Sequence, residues 1–280
     1  MEKLKNGSGM HKGRRILVVF VLMCLGAGYL LWRLIPGTFA FAHGFQSQEM
    51  AAVQYADQTV RANLGGIFVA IPSYFVEYLE YDGDPGWRDK GRARPVRTLD
   101  SKIASFGFDV RYPDMAGKST PELWGDYRKR KLSDSQWIRV VLISGEIYPG
   151  LYSTDRLARQ NIDSNPGAGM GKYERLSKNQ HGLEVYAFAG VNPKNGKPYR
   201  ELPHADDVFV KRNGEDRVVT FIKCSNRQVP SAPCSQYFDL EPEMHVSVTV
   251  SYRRGLISDW QGIQESVKKT VLGFSVTGRY

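Results

Sequence analysis

Seventeen consecutive uncharged residues, Ile16 to Trp32 (ILVVFVLMCLGAGYLLW), constrain this chain more than any other feature in it. At 1.5 Å of rise per residue they make about 25 Å of helix. Leu34 and Ile35 extend the run toward the roughly 30 Å hydrocarbon core of a bilayer, with Arg33 reaching back to the headgroups. Lys3, Lys5, Lys12, Arg14 and Arg15 precede it against Glu2 alone. The positive-inside bias therefore predicts a cytoplasmic tail over 1–15, a single-pass inner-membrane anchor over 16–35 and a periplasmic location for everything beyond Pro36. Ala40 and Ala42 form a small-x-small pattern behind the helix breakers Pro36 and Gly37, so cleavage after Ala42 stays open, although the run exceeds the about 7 to 15 apolar residues of a cleaved signal. A lipoprotein signal on Cys24 is disfavoured by Met23, where a small side chain is required. All three readings export the remaining chain.

Export decides how the cysteines are read. Cys24 falls within the apolar run, which leaves Cys224 and Cys234 in KCSNRQVPSAPCSQYFDL. Outside a reducing cytoplasm such a pair is most simply a disulfide. Zinc needs further ligands, and the nearest, His245, stands alone; redox catalysis uses a two-residue spacer.

The formal charge of +9 overstates how basic the exported part is. Residues 1–42 hold six of the cations and one anion, which leaves 32 cations against 28 anions, or +4, for residues 43–280. That weak excess argues against a nucleic-acid partner. Two clusters, WRDKGRARPVR (Trp87 to Arg97) and RKRK (Arg128 to Lys131), are dense enough to meet anionic headgroups or an acidic partner, against the plainer readings of a solvated loop and a solvated helix end.

Hydrophobic periodicity predicts an α+β fold: after the N-terminal transmembrane helix, a mostly antiparallel sheet with helices on one face. SQEMAAVQYADQTVRANLGG spaces Met50, Val53, Val60 and Leu64 at helical intervals and ends in Gly65 and Gly66, so 36–64 is read as a linker and amphipathic helix, and 65–280 as the exported globular domain. ASFGFDVRY and MHVSVTVSY alternate over nine residues, the pattern of strands with one wet face. WIRVVLI and LEVYAFAG read as further strands. DVFVKRNGEDRVVTFIKC reads as a hairpin around Asn213 and Gly214. Thr120 before Pro121 opens one helix, and Ser258 with Gln261 forms a capping box for another, which carries Trp260, Ile263, Val267, Val271 and Phe274 along one face.

Local motifs for chemistry are mostly lacking. NPGAGMGK (Asn165 to Lys172) fails the phosphate-loop pattern, since Tyr173 follows the lysine where Ser or Thr is needed, and the small residues from Asp155 to Tyr173 read as a surface loop. Asp82 and Asp84 in EYDGDPGW offer oxygen ligands but lack the glutamate of a calcium loop, so a polar turn is favoured. There is no GxSxG elbow, no HExxH helix and no activated cysteine, and no cofactor, metal or catalytic residue is assigned. The expectation is a non-enzymatic protein whose candidate partner-binding residues are Asp82, Asp84, Trp87 and Arg88; the alternative is an envelope enzyme or structural subunit acting on a periplasmic polymer.

The stretches EYDGDPGW, SFGFDVRYPDM, PCSQYFDL and VSVTVSYRRGLISDWQGIQESVKKTVLGF resemble single-pass bacterial envelope proteins, some of them associated with type VI secretion effector and immunity loci. The resemblance spans most of the exported part and carries over no active-site residue. It implies a periplasmic protector that binds and neutralises a protein toxin.

Overall fold

The structure, a computed structural model, describes residues 58–85, 91, 93–163 and 171–276. The expected tail over 1–15, the expected anchor over 16–35 and the part of the expected amphipathic helix before Gln58 lie outside these residues, as do Trp87 and Arg88. Among the described residues, no helix is long and apolar enough to cross a membrane.

The first described element corrects the sequence reading. Residues 59–64 are not the end of a helix: β1 (Thr59–Leu64) pairs antiparallel with β2 (Ile67–Pro72), with Leu64 opposite Ile67. Val60, Ala62 and Leu64 satisfy a period of two as well as one near four, so spacing alone was ambiguous. The glycine pair decides it. Gly65 and Gly66 both take positive φ, as a tight hairpin turn demands. A Cβ on Gly65 would also come within 2.8 Å of the His245 carbonyl oxygen.

The remaining strands build a nine-stranded sheet. β3 (Glu77–Tyr81), β4 (Ile103–Arg111) and β5 (Trp137–Ile143) form one antiparallel meander. β6 (Tyr173–Arg175), β7 (Glu184–Phe188), β8 (Asp206–Arg212), β9 (Val218–Ser225) and β10 (Pro233–Asp239) form a second. β11 (Ser247–Arg253) lies between them, antiparallel to β5 on one side and β10 on the other. The last strand in sequence is therefore the one that joins the two meanders.

Helices occur on both faces, not one. α3 (Trp260–Leu272) covers the face carrying Phe108, Val140, Val250 and Ile222, burying Ile263, Val267 and Val271 completely. The β1–β2 hairpin covers the same face, through Leu64 and Ile71. Each such aliphatic side chain contributes about 1.5–3 kcal/mol by leaving water. α1 (Pro121–Lys129) and α2 (Ser153–Asp163) lie on the opposite face, which needs cover because it is also apolar: Val208, Val210 and Phe221 pack there against Ala158 of α2. α2 occupies residues expected to be loop. Its start is held from another strand, where Asp239 accepts from the Thr154 N–H at 3.1 Å and from the Ser153 hydroxyl at 2.6 Å. α3 does not begin with the expected capping box either. A 3₁₀ turn over Arg254–Asp259 leads into it, and Asp259 is the N-cap residue, without a side-chain capping bond.

Candidate functional site

Cys224 and Cys234 stand directly opposite each other in the β9–β10 register and form a disulfide. Both are buried within the core. The bond ties the end of β9 to the start of β10 and so fixes the base of the intervening loop, 226–232. That loop is one wall of a cleft at this end of the sheet.

The opposite wall is α1 and the segment that follows it. Thr120 accepts from the Leu123 N–H at 3.3 Å, Pro121 occupies the first turn, and Glu122 near the start with Arg128 and Lys129 near the end complement the helix dipole. Tyr127 secures this helix to the sheet. Its hydroxyl donates to Asp109 Oδ2 at 2.8 Å, and its ring meets Trp137 edge-on with centroids 5.1 Å apart. The Arg130 guanidinium lies over the same ring, 3.6 Å from its centroid. The RKRK run thus straddles the helix end, and Arg130 from it lines the cleft.

The floor comes from the sheet. Arg139 on β5, Ser251 and Arg253 on β11, and Pro233 on β10 line a concavity of about 330 Å³. Arg253 also lines an adjoining concavity of about 660 Å³, together with Arg227, Val229, Arg254 and Gly255. Arg253 Nε donates to the Ser135 carbonyl at 3.0 Å, which places this guanidinium where the two hollows meet.

Two buried carboxylates lie beneath this surface, and both are already engaged. Asp109, 4 % exposed, accepts two bonds from Arg139 (Nε at 2.9 Å, Nη2 at 2.8 Å), one from Tyr127, and one from Lys118 at 3.2 Å. Lys118 is itself buried and also pairs with Glu77. Burial alone would raise the Asp109 pKa, but the Arg139 hydrogen bonds, the Lys118 charge and the Tyr127 hydroxyl outweigh it and hold the carboxyl below its ordinary range. Burial and the bond to Asp109 push the Tyr127 phenol up to about 12. Asp207, fully buried, accepts from Arg200 at 2.8 and 3.0 Å and from Arg254 at 2.6 Å. By contrast, Arg130, Arg227 and Arg253 have no carboxylate partner among the described residues. The cleft is a positively charged hollow with its internal anions spoken for.

Of the residues singled out for partner binding, the two that are described, Asp82 and Asp84, lie elsewhere. Asp82 accepts from the Glu146 N–H at 3.0 and 3.2 Å. Asp84 accepts from the Tyr81 N–H at 3.0 Å and pairs with Arg97, whose guanidinium stacks on the Tyr81 ring. Both stabilise the turn after β3, at the end of the sheet away from the cleft, and no group of three or more His, Cys, Asp or Glu able to hold a metal ion occurs among the described residues. Asp109, Arg139, Arg253 and Arg254 were not singled out from sequence. Arg139 offered the one available signal, as the lone charge in the otherwise apolar WIRVVLI.

No protein-family model matches the chain, and no curated protein sequence matches it. Among solved structures it is similar to Smlt3025, an immunity protein of the Stenotrophomonas maltophilia type IV secretion system, with a TM-score of 0.51 and 18% identity over 80% of this chain and 95% of that one. At that identity the likeness establishes a shared fold. The iron-regulated outer membrane lipoprotein FrpD of Neisseria meningitidis superposes with a TM-score of 0.38 and 12% identity over 79% of this chain and 93% of the other.

Proposed function

We propose that this chain is a binding protein of the immunity type, anchored in the inner membrane by residues 16–35, with its folded part in the periplasm, where it binds and neutralises a secreted protein toxin. The observation that carries the reading is the fold, which matches a secretion-system immunity protein along nearly all of that protein's length. That neighbour belongs to a type IV system, so it lends no support to the type VI association implied by the sequence resemblance.

The chemistry of the cleft favours binding over catalysis. A general base needs a pKa near the working pH. Asp109 is held low by its cations, and the Tyr127 phenol is held high, so neither is suited to exchange a proton at neutral pH. Arginines and aromatic rings around a hollow are instead the side chains that dominate protein interfaces. The buried disulfide fits an oxidising compartment.

The test is protection. Among candidate secreted toxins directed to the periplasm, at least one should kill cells that survive when the full-length chain is co-expressed, and that pair should co-purify from membranes. Equal killing with and without the chain overturns the reading.

A further inference from the structure

The cleft constrains the chemistry of the surface that a partner would present to it. Arg130, Arg227 and Arg253 reach the hollow from three separate elements: the end of α1, the disulfide loop and β11. Lys129 and Lys131 add exposed charge on the first wall. Asp134 is the one acidic residue between Tyr127 and Ser135, and Asp109 and Asp207 point inward to cations of their own. The field in the opening is therefore positive, and low-dielectric walls concentrate it.

Apolar side chains are set among these charges. Leu132 is 67% exposed on the α1 side and Val229 49% exposed on the loop side. Planar guanidinium groups bind carboxylates through paired hydrogen bonds, and exposed apolar groups between them offer contact area that a small ion would not use. The cations stand on different walls of two adjoining hollows of about 330 and 660 Å³, more room than one headgroup or free anion fills.

We propose that this cleft takes an acidic segment of a protein partner, a stretch carrying several carboxylates with an apolar side chain between them, gripped by Arg130, Arg227 and Arg253. The proposal rests on the reading that the chain binds a protein. The disulfide serves this site by holding Arg227 and Val229 opposite α1.

The experiment is fluorescence anisotropy on the full-length chain in detergent micelles. The probe is a labelled ten-residue peptide of Asp and Glu interrupted by two Leu, compared with the same peptide carrying Asn and Gln. The acidic peptide is expected to bind, and more weakly as salt rises. Arg227→Gln and Arg253→Gln should each lower affinity about five- to tenfold, whereas Lys102→Gln, at the other end of the sheet, should not. If Arg253→Gln unfolds in a thermal melt, Arg130→Gln and Arg227→Gln decide the matter. Equal binding of the neutral peptide, or cleft variants no weaker than Lys102→Gln, overturns the proposal. So does loss of binding to phosphatidylglycerol vesicles in the same variants when the peptide never binds, which would assign the cleft to lipid. Protection that survives in the cleft variants would refute this site and leave the immunity reading standing; peptide binding without protection would do the reverse.

Discussion

Asp109 shows what a single buried charge does to the stability of this fold. It sits on β4 between Arg139 and Lys118, and Lys118 is only 3% exposed, so neither ion has water to fall back on. Removing one partner of such a group typically costs about 3–5 kcal/mol, because the other charge stays buried and uncompensated. Asp109→Asn is therefore expected to lower stability by roughly that amount near neutral pH, read as a drop in the urea midpoint at constant slope. The effect has a defined pH dependence. The folded pKa lies below the ordinary carboxylate value, so the ionised form contributes its stability above about pH 4 and loses it as acid titrates down through the folded pKa. The gap between wild type and variant should narrow below about pH 4. A gap that stays constant to the most acidic pH tested would show that the cost is one of packing.

Elements that explain themselves locally were legible in the sequence, and those completed by distant residues were not. β4 and β11 alternate because one face of each is fully buried, and the Asn213 hairpin announces itself with turn residues, so each could be read from a short window. The stripe on α3 from Trp260 to Val271 was legible for the same reason. α2 was not: its N-terminus is capped by Asp239, some 85 residues away, and its apolar contact is confined to Leu157, Ala158 and Ile162, too short a stripe to stand out. The alternation in SFGFDVRY puts Asp109 on a wet face, because nothing in that stretch says that α1 will cover it. The cleft failed to show for a related reason. RKRK, the disulfide loop and the arginine pair at the end of β11, Arg253 and Arg254, are each ordinary alone, and only the sheet brings them together. The staple gives a prediction at this scale. Closing a loop of sequence separation 10 should contribute on the order of 2–3 kcal/mol. Replacing both cysteines by alanine is expected to lower the melting temperature accordingly and to weaken acidic-peptide binding, because Arg227 loses its fixed base. Unchanged stability on adding reductant to the wild type would contradict the staple.

At the scale of the whole molecule, β11 makes the two meanders interdependent. β5 and β10 share no ladder with each other; each pairs with β11, a strand about a hundred residues after β5 in sequence. α3 reinforces the union across the same face. Gln264 accepts from Thr220 on β9 at 2.9 Å and from Gln236 on β10 at 3.0 Å, while Phe274, just beyond the helix, packs with Phe75 and Phe108 beside the first meander. Each meander alone would leave one long apolar edge strand without a partner and one face without its helix, which favours aggregation over folding. The chain up to Leu240, lacking β11 and α3, is therefore expected not to fold, and the intact folded part to unfold in a single cooperative transition. Near-ultraviolet circular dichroism and tryptophan fluorescence test this directly. Trp137 reports on the first meander, Trp260 on the helix that joins the two, and tyrosines such as Tyr237 on the second. Coincident curves are the expected result. Two separated transitions would mean that the meanders are independent units, and the cleft, whose walls come one from each, would then be a joint between them instead of a preformed site.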